Sequence, residues 1–183
     1  MWTKAARQAF TVMAVPISGN NTNNSVPMFP NDSIRNVSNQ ERWMSWVNGA
    51  IFSTYNPTLG NNAAGFVVGT GTTAPSLDDY KLESQITSGI TMNFTNSRRY
   101  VNSSGKPTIE NIYTITNNGS SDITISEVGL VSYNINCCTS SSATSTGANN
   151  VLIDRTLLDT PVTIASRGSA SINYTISSDV TFA

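Results

Sequence analysis

Residues 108–133 read TIENIYTITNNGSSDITISEVGLVSY, and their pattern decides the fold. Two runs of β-branched and aromatic residues flank a cluster of Asn, Gly, Ser and Asp, the pattern of a strand, a turn and a returning strand. In the first run Ile109, Asn111, Tyr113 and Ile115 share one face, with Glu110, Ile112, Thr114 and Thr116 on the other. In the second, Ile123 and Ile125 alternate with Thr124 and Ser126, and Val128 and Leu130 resume the alternation one residue out of step. A slip of one residue is what a β-bulge produces, and Gly129 stands in that region.

Strand signals continue on both sides of this hairpin. Ile86, Ile90, Met92 and Phe94 form one run with Gly89 as a weak point, and Arg98, Arg99 and Tyr100 start another. Residues 151–158 and 162–164 read as strands, residues 166–169 as a turn, and residues 170–176 as a closing strand with Ile172, Tyr174 and Ile176 on one face. Short strands between turn signals at this spacing predict a mainly β protein, an antiparallel β-sandwich of jelly-roll or Ig-like type.

The N-terminal part reads differently. Residues 1–16 mix helical spacing at Ala5, Ala6, Ala9, Phe10 and Met13 with strand-like Val12 and Val15. Residues 18–36 are rich in Asn, Pro and Ser, an extended segment anchored at Val26, Met28 and Phe29. Residues 1–37 are therefore expected to be an arm and loop, and residues 38–183 the sandwich domain. Ser38 and Glu41 have capping-box spacing, and Trp43, Trp46, Val47, Ala50 and Ile51 follow on one helical stripe. The expectation is one short helix over residues 38–52, packed on a sheet through its tryptophans.

Composition limits the function. Ser, Thr and Asn account for about 70 of the 183 residues, while 11% are charged and the net charge is −1. With lysines and arginines scattered, no basic stripe points to nucleic acid. The chain has no histidine, and so lacks the commonest general base, metal ligand and pH switch. Its two cysteines, Cys137 and Cys138, are adjacent and cannot staple a fold; they are expected as free thiols within a polar loop over residues 134–150. Gln8 and Pro16 interrupt the apolar start, which makes a poor signal peptide, and no run has the length of a transmembrane helix. No cofactor or metal is implied.

Residues 65–83, GFVVGTGTTAPSLDDYKLE, are the most individual stretch. Phe66, Val67 and Val68 read as a short buried strand, Gly69 to Gly71 as the turn leaving it, and Ser76 with Asp79 as the cap of a short helix running to Leu82. The glycines fit a loose dinucleotide fingerprint, but Thr72, Thr73 and Pro75 interrupt where its long helix must start. Asp78, Asp79 and Glu83 cluster there, which invites a glycosidase or calcium reading. Helix-start carboxylates serve the cap and the macrodipole more often, so no catalytic residue is assigned. Glu127 and the pair Asp154-Arg155 are expected to pair across the sheet.

The stretches VVGTGTTAPSLDDYKLESQI, TITNNGSSDITISEVGLV and LIDRTLLDTPVTIASRGSASINYTI, taken together, resemble a type of β-rich structural protein of tailed bacteriophages. The likeness covers residues 65–177 and leaves out the N-terminal third. It implies a non-enzymatic virion component assembled in a host cytoplasm: a capsid accessory or decoration protein, with a tail or fibre component as the alternative. Its partners would be the major capsid protein or tail proteins and further copies of itself, with no nucleic acid and no membrane. Trp2, Phe10, Met13, Met28 and Phe29 are the expected docking residues. A glycan- or host-surface-binding module would instead present Trp43, Trp46, Tyr55 or Tyr100 as an aromatic platform, and an enzyme would rely on Asp78, Asp79 and Glu83.

Overall fold

The computed structural model describes residues 1–7, 33–46, 57, 59–60, 65–138 and 146–177, with backbone alone for 43–46, 133–138 and 146–149. Among these residues eight strands follow in chain order: β1 (Ile34–Arg35), β2 (Glu41–Trp46), β3 (Gly65–Gly69), β4 (Ile90–Val101), β5 (Pro107–Asn117), β6 (Ile123–Cys138), β7 (Thr146–Ile164) and β8 (Ser169–Ser177). All pairings are antiparallel. One sheet contains β1, β2, β6, β3 and β7, and the other has the order β4-β5-β8. β6 is the spine of the larger sheet. β3 and β2 lie end to end along one edge of it, at residues 127–131 and 136–138, and β7 runs along the other.

The apolar residues between the sheets come from both: Phe66, Val68, Ile125, Val128, Leu130 and Ile164 from the larger, Ile90, Met92, Tyr113, Ile115, Ile172 and Tyr174 from the smaller. The protein is an antiparallel β-sandwich. Phe66 and Tyr113 stack across the interface with ring centroids 4.2 Å apart and planes 7° from parallel, and Phe94 meets Tyr113 edge-on. Such a pair contributes about 0.5–1.5 kcal/mol beyond the area it buries.

Residues 108–133 form the expected hairpin, β5 to β6. Asn111, Tyr113 and Ile115 face the core, and Ile125, Val128 and Leu130 keep their side chains in it despite the slip. The irregularity lies at Ser126, three residues before Gly129: Ile125 pairs with Val162 but Glu127 pairs with Leu157. The extra chain is on β7, where residues 158–161 bulge out and Pro161, which has no N–H to donate, leaves the ladder. β6 gains one residue of phase there. Glu127, Gly129 and Val131 consequently face away from the core.

The helix expected over residues 38–52 is not formed by its described part. Residues 37–39 are a turn and Glu41–Trp46 is β2; residues 47–52 lie outside the described residues. Asn36, rather than Ser38, does the capping: its Oδ1 accepts from Ser38 N at 3.1 Å and Gln40 N at 2.9 Å. Asn39 takes a positive φ of 61° and its N–H donates to Asn36 O, which closes a β1–β2 hairpin. Spacing of apolar residues over so short a run fits both periods, and pairing with β6 selects the strand. Among the described residues the one helical turn is instead at residues 4–7.

The described parts of the polar loop expected over residues 134–150, residues 134–138 and 146–150, are strand, and residues 139–145 lie outside the described residues. β6 continues to Cys138 and β7 starts at Thr146, so Cys137 and Cys138 lie in a strand paired on both edges, with Gly147 and Thr146 on one side and Met44 and Trp43 on the other. Ladder hydrogen bonds offset the polar composition that argued for a loop.

Candidate functional site

The outward face of the larger sheet, at the level of the bulge, carries Glu127 from β6 and Arg155 from β7. Arg155 pairs with Gly129 and Glu127 with Gly69 of β3, so the two long side chains share that face with two glycines. The segment from Thr70 to Ile86 folds over them. It leaves and rejoins the sheet edge through β3, with Thr70 N donating to Ser84 O and Ile86 N to Val68 O, both at 2.9 Å.

Glu127 is completely buried and fully satisfied. Its Oε1 accepts from Gly71 N at 3.1 Å and Ser84 N at 2.8 Å, and its Oε2 from Glu83 N at 3.1 Å and Arg155 Nε at 2.8 Å. Arg155, 3% exposed, spends its remaining donors on the same segment: to Asp79 Oδ2 at 2.8 Å, Thr73 O at 3.0 Å and Glu83 Oε2 at 3.4 Å. One guanidinium thus ties three acidic side chains and a carbonyl to β7. Burial pulls the Arg155 pKa down, but its hydrogen bonds to Asp79 and Glu127 outweigh that, and the net direction is upward.

Glu83 closes the outer rim. Its carboxylate accepts from the Thr73 hydroxyl at 2.6 Å and from the Thr73 and Thr72 N–H groups at 2.8 Å each, and these bonds, the Thr73 hydroxyl foremost, lower its pKa. The glycines are sterically required. A Cβ on Gly69 would lie 2.5 Å from Glu127 Oε1 and 2.6 Å from Ser84 O; one on Gly71 would lie 2.6 Å from both Glu127 Oε1 and Glu83 Oε2. Leu82 fills the space over Gly129 and packs with Val67, Val131 and Leu152, a small apolar cluster under the segment.

Ser76 and Asp79 make capping contacts, but around a turn. Ser76 N donates to Asp79 Oδ2 at 2.8 Å, Asp78 N donates to Ser76 Oγ at 3.3 Å and Asp79 N to the Ser76 carbonyl at 3.3 Å, and no helix follows. Asp79 pairs with Arg155, and residues 79–82 are irregular, with a bend at Lys81. Of the three clustered acids, Asp79 and Glu83 meet at Arg155, whereas Asp78 is exposed in the turn. The expected pairing of Glu127 with Arg155 across the sheet is present. A shallow groove of ≈ 300 Å³ lies beside the cluster, lined among others by Thr73, Asp78, Asp79, Tyr80 and Arg155.

The chain compared with protein-family models, with curated proteins and with solved structures has no match in any of the three. Chemistry therefore has to be read from the side chains alone. Glu127 has each oxygen doubly engaged and is out of water, Glu83 has three short donors, and Asp79 is bound to Arg155 and Ser76. This is the bonding of a clasp that holds a long segment on a sheet.

Two further polar groups sit at the sheet margins. Asp154 of β7 accepts from the buried Tyr174 hydroxyl at 2.7 Å and pairs with the Met1 ammonium at 2.9 Å; burial, with Asp154 adding to it, pushes the Tyr174 pKa up. On the smaller sheet Glu110 pairs with Arg98 and accepts from Asn173 Nδ2 at 3.2 Å.

Of the expected docking residues, Trp2 is half-buried and bridges to Asp154 at the edge of β7, while Phe10, Met13, Met28 and Phe29 lie outside the described residues. The sequence reading missed Arg155 as the hub and Thr3 as the buried anchor of the N-terminus. An arginine in the middle of an apolar strand, in a chain with so few charges, was the available signal for the first.

Proposed function

We propose that this chain is a non-enzymatic structural protein of a tailed-phage virion, a capsid accessory or decoration protein that docks on the head lattice in many copies. The observation that carries the reading is the clasp. The residues that bear the resemblance to phage structural proteins, Gly69, Gly71, Asp79, Glu83, Glu127 and Arg155, are the ones joined at one hub. A motif used to lock a segment onto a sandwich is a motif of architecture, and it supports a part whose role is to be rigid and to assemble.

The same bonding argues for a non-catalytic role of the acidic cluster. A general acid or base has to reach substrate with a proton to give or take. Glu127 is sealed from solvent and Asp79 and Glu83 are held by internal donors and Arg155. Weak contacts repeated over a symmetric lattice add up through multivalency, so a small docking surface suffices. The site of assembly would be the virion, built in the host cytoplasm. Mass spectrometry of gradient-purified particles tests this: the chain co-purifying with heads at lattice stoichiometry is the expected result, and its absence from purified virions refutes the reading. Recovery with isolated tails would favour the tail or fibre alternative.

A further inference from the structure

The outer edge of β7 is covered by the first residues of the chain. Thr3 N donates to Ile153 O at 3.0 Å, Arg155 N donates to Met1 O at 3.2 Å, and Trp2 forms an antiparallel bridge with Asp154. Residues 1–3 are thus a short strand added to the sheet. Thr3 Oγ1 also donates to Leu152 O at 2.5 Å, and Lys4 N donates to Leu77 O at 2.8 Å on the clasped segment. Thr3, Ala5 and Ala6 are buried, as are Leu152 and Ile153 beneath them. Without this strand, β7 would present open ladder groups and bare apolar side chains, an edge that pairs with any suitable strand offered to it.

We propose that residues 1–6 are exchanged between copies of this chain, the arm of one copy completing the β7 edge of the next. The contacts join the arm to residues far away in sequence, and none of them depends on arm and edge belonging to one molecule. About 25 residues separate the arm from β1, a length that spans at most about 80–90 Å, more than enough to reach a neighbour. The same bonds form within one copy and between two, so concentration sets the balance. A tethered arm acts at an effective concentration in the millimolar range, and the exchanged form takes over only where copies are packed at that density. Arm and edge are different surfaces, so exchange links copies either reciprocally, as a closed dimer, or head-to-tail into rings and chains. The inference deepens the assembly reading by naming the partner, a second copy, and rests on it only for the crowding that drives exchange.

The test uses the full chain with Cys137 and Cys138 replaced by Ser. One preparation carries Lys4→Cys and another Leu77→Cys; they are mixed, concentrated and treated with a short bismaleimide, and the Lys4-site to Leu77-site link is quantified by mass spectrometry. Only docking between molecules yields that link. The expected yield rises with concentration and exceeds by about tenfold that of a control pair, Lys4→Cys with Ser120→Cys, once millimolar density is reached. A yield equal to the control at every concentration overturns the proposal. Native mass spectrometry of the unmodified chain guards against a variant that fails to fold; a chain that stays monomeric at millimolar concentration also overturns the proposal. Particle composition reads the virion setting separately, so either idea can fail alone.

Discussion

Arg155 Nε lies 2.8 Å from Glu127 Oε2 across the β6–β7 ladder, with both side chains out of water. Removing one partner leaves the other buried with its charge only partly compensated, a loss of about 3–5 kcal/mol for a pair of this kind. Arg155→Ala and Glu127→Ala are each expected to lower the unfolding free energy by that much, read from a lower urea midpoint. Joint replacement by Met at both positions should recover only part of it, because the N–H groups of Gly71, Glu83 and Ser84 lose their acceptor. Equilibrium denaturation of the three variants checks this.

Gly69 and Gly71 have no room for a methyl group against Glu127, Ser84 O and Glu83. Gly69→Ala or Gly71→Ala should cost about 1–3 kcal/mol by forcing the covering segment away from the sheet. Hydrogen exchange should then accelerate at the N–H groups of Gly71, Thr72, Thr73 and Ser84, which the clasp now bonds, while β5 and β8 keep their protection. Uniform acceleration across both sheets would show instead that the segment is not held locally.

The pH dependence follows from Glu83. Its folded-state pKa lies below the ordinary 4.5, chiefly through the Thr73 hydroxyl and N–H. A depressed carboxylate stabilises the folded state above the unfolded pKa, and that stabilisation is lost as pH falls through the folded value. The urea midpoint is therefore expected to decline below about pH 4.5, and Glu83→Gln should flatten part of that decline.

Tyr113 gives a prediction of opposite sign at high pH. Burial raises its pKa to about 12, with the nearby Asn111 amide pulling slightly the other way, and its hydroxyl has no hydrogen-bond partner among the described residues. A raised phenol stabilises the folded state fully below the unfolded value near 10, and the contribution is lost as pH rises through the folded value. Tyrosinate absorbance should therefore show Tyr113 ionising only together with alkaline unfolding. Because the buried hydroxyl is unsatisfied, Tyr113→Phe should raise stability at neutral pH by about 1 kcal/mol.

Much of the sandwich was legible because alternation has a period of two that few other structures mimic. The faces of β5, the phase slip in β6 and the turn at Arg167 were all visible in residue order, the last now seen at a φ of 62°. The Trp43–Trp46 region was not, since its apolar spacing suits a helix as well as a strand and only the partner strand decides. Cys137 and Cys138 failed for a similar reason: polar residues looked too weak to fold, yet ladder pairing on both edges holds them. The clasp was half legible. Glu127 facing Arg155 could be expected across a hairpin, but the capture of Asp79 and Glu83 depends on a segment folding back over the sheet, which no local pattern encodes.

The virion reading is tested most directly by cryo-microscopy of the intact particle. The account predicts copies of this sandwich on the outer head lattice, with the strand Met1 to Thr3 seated on the β7 edge. Density for the chain on neither head nor tail would contradict it.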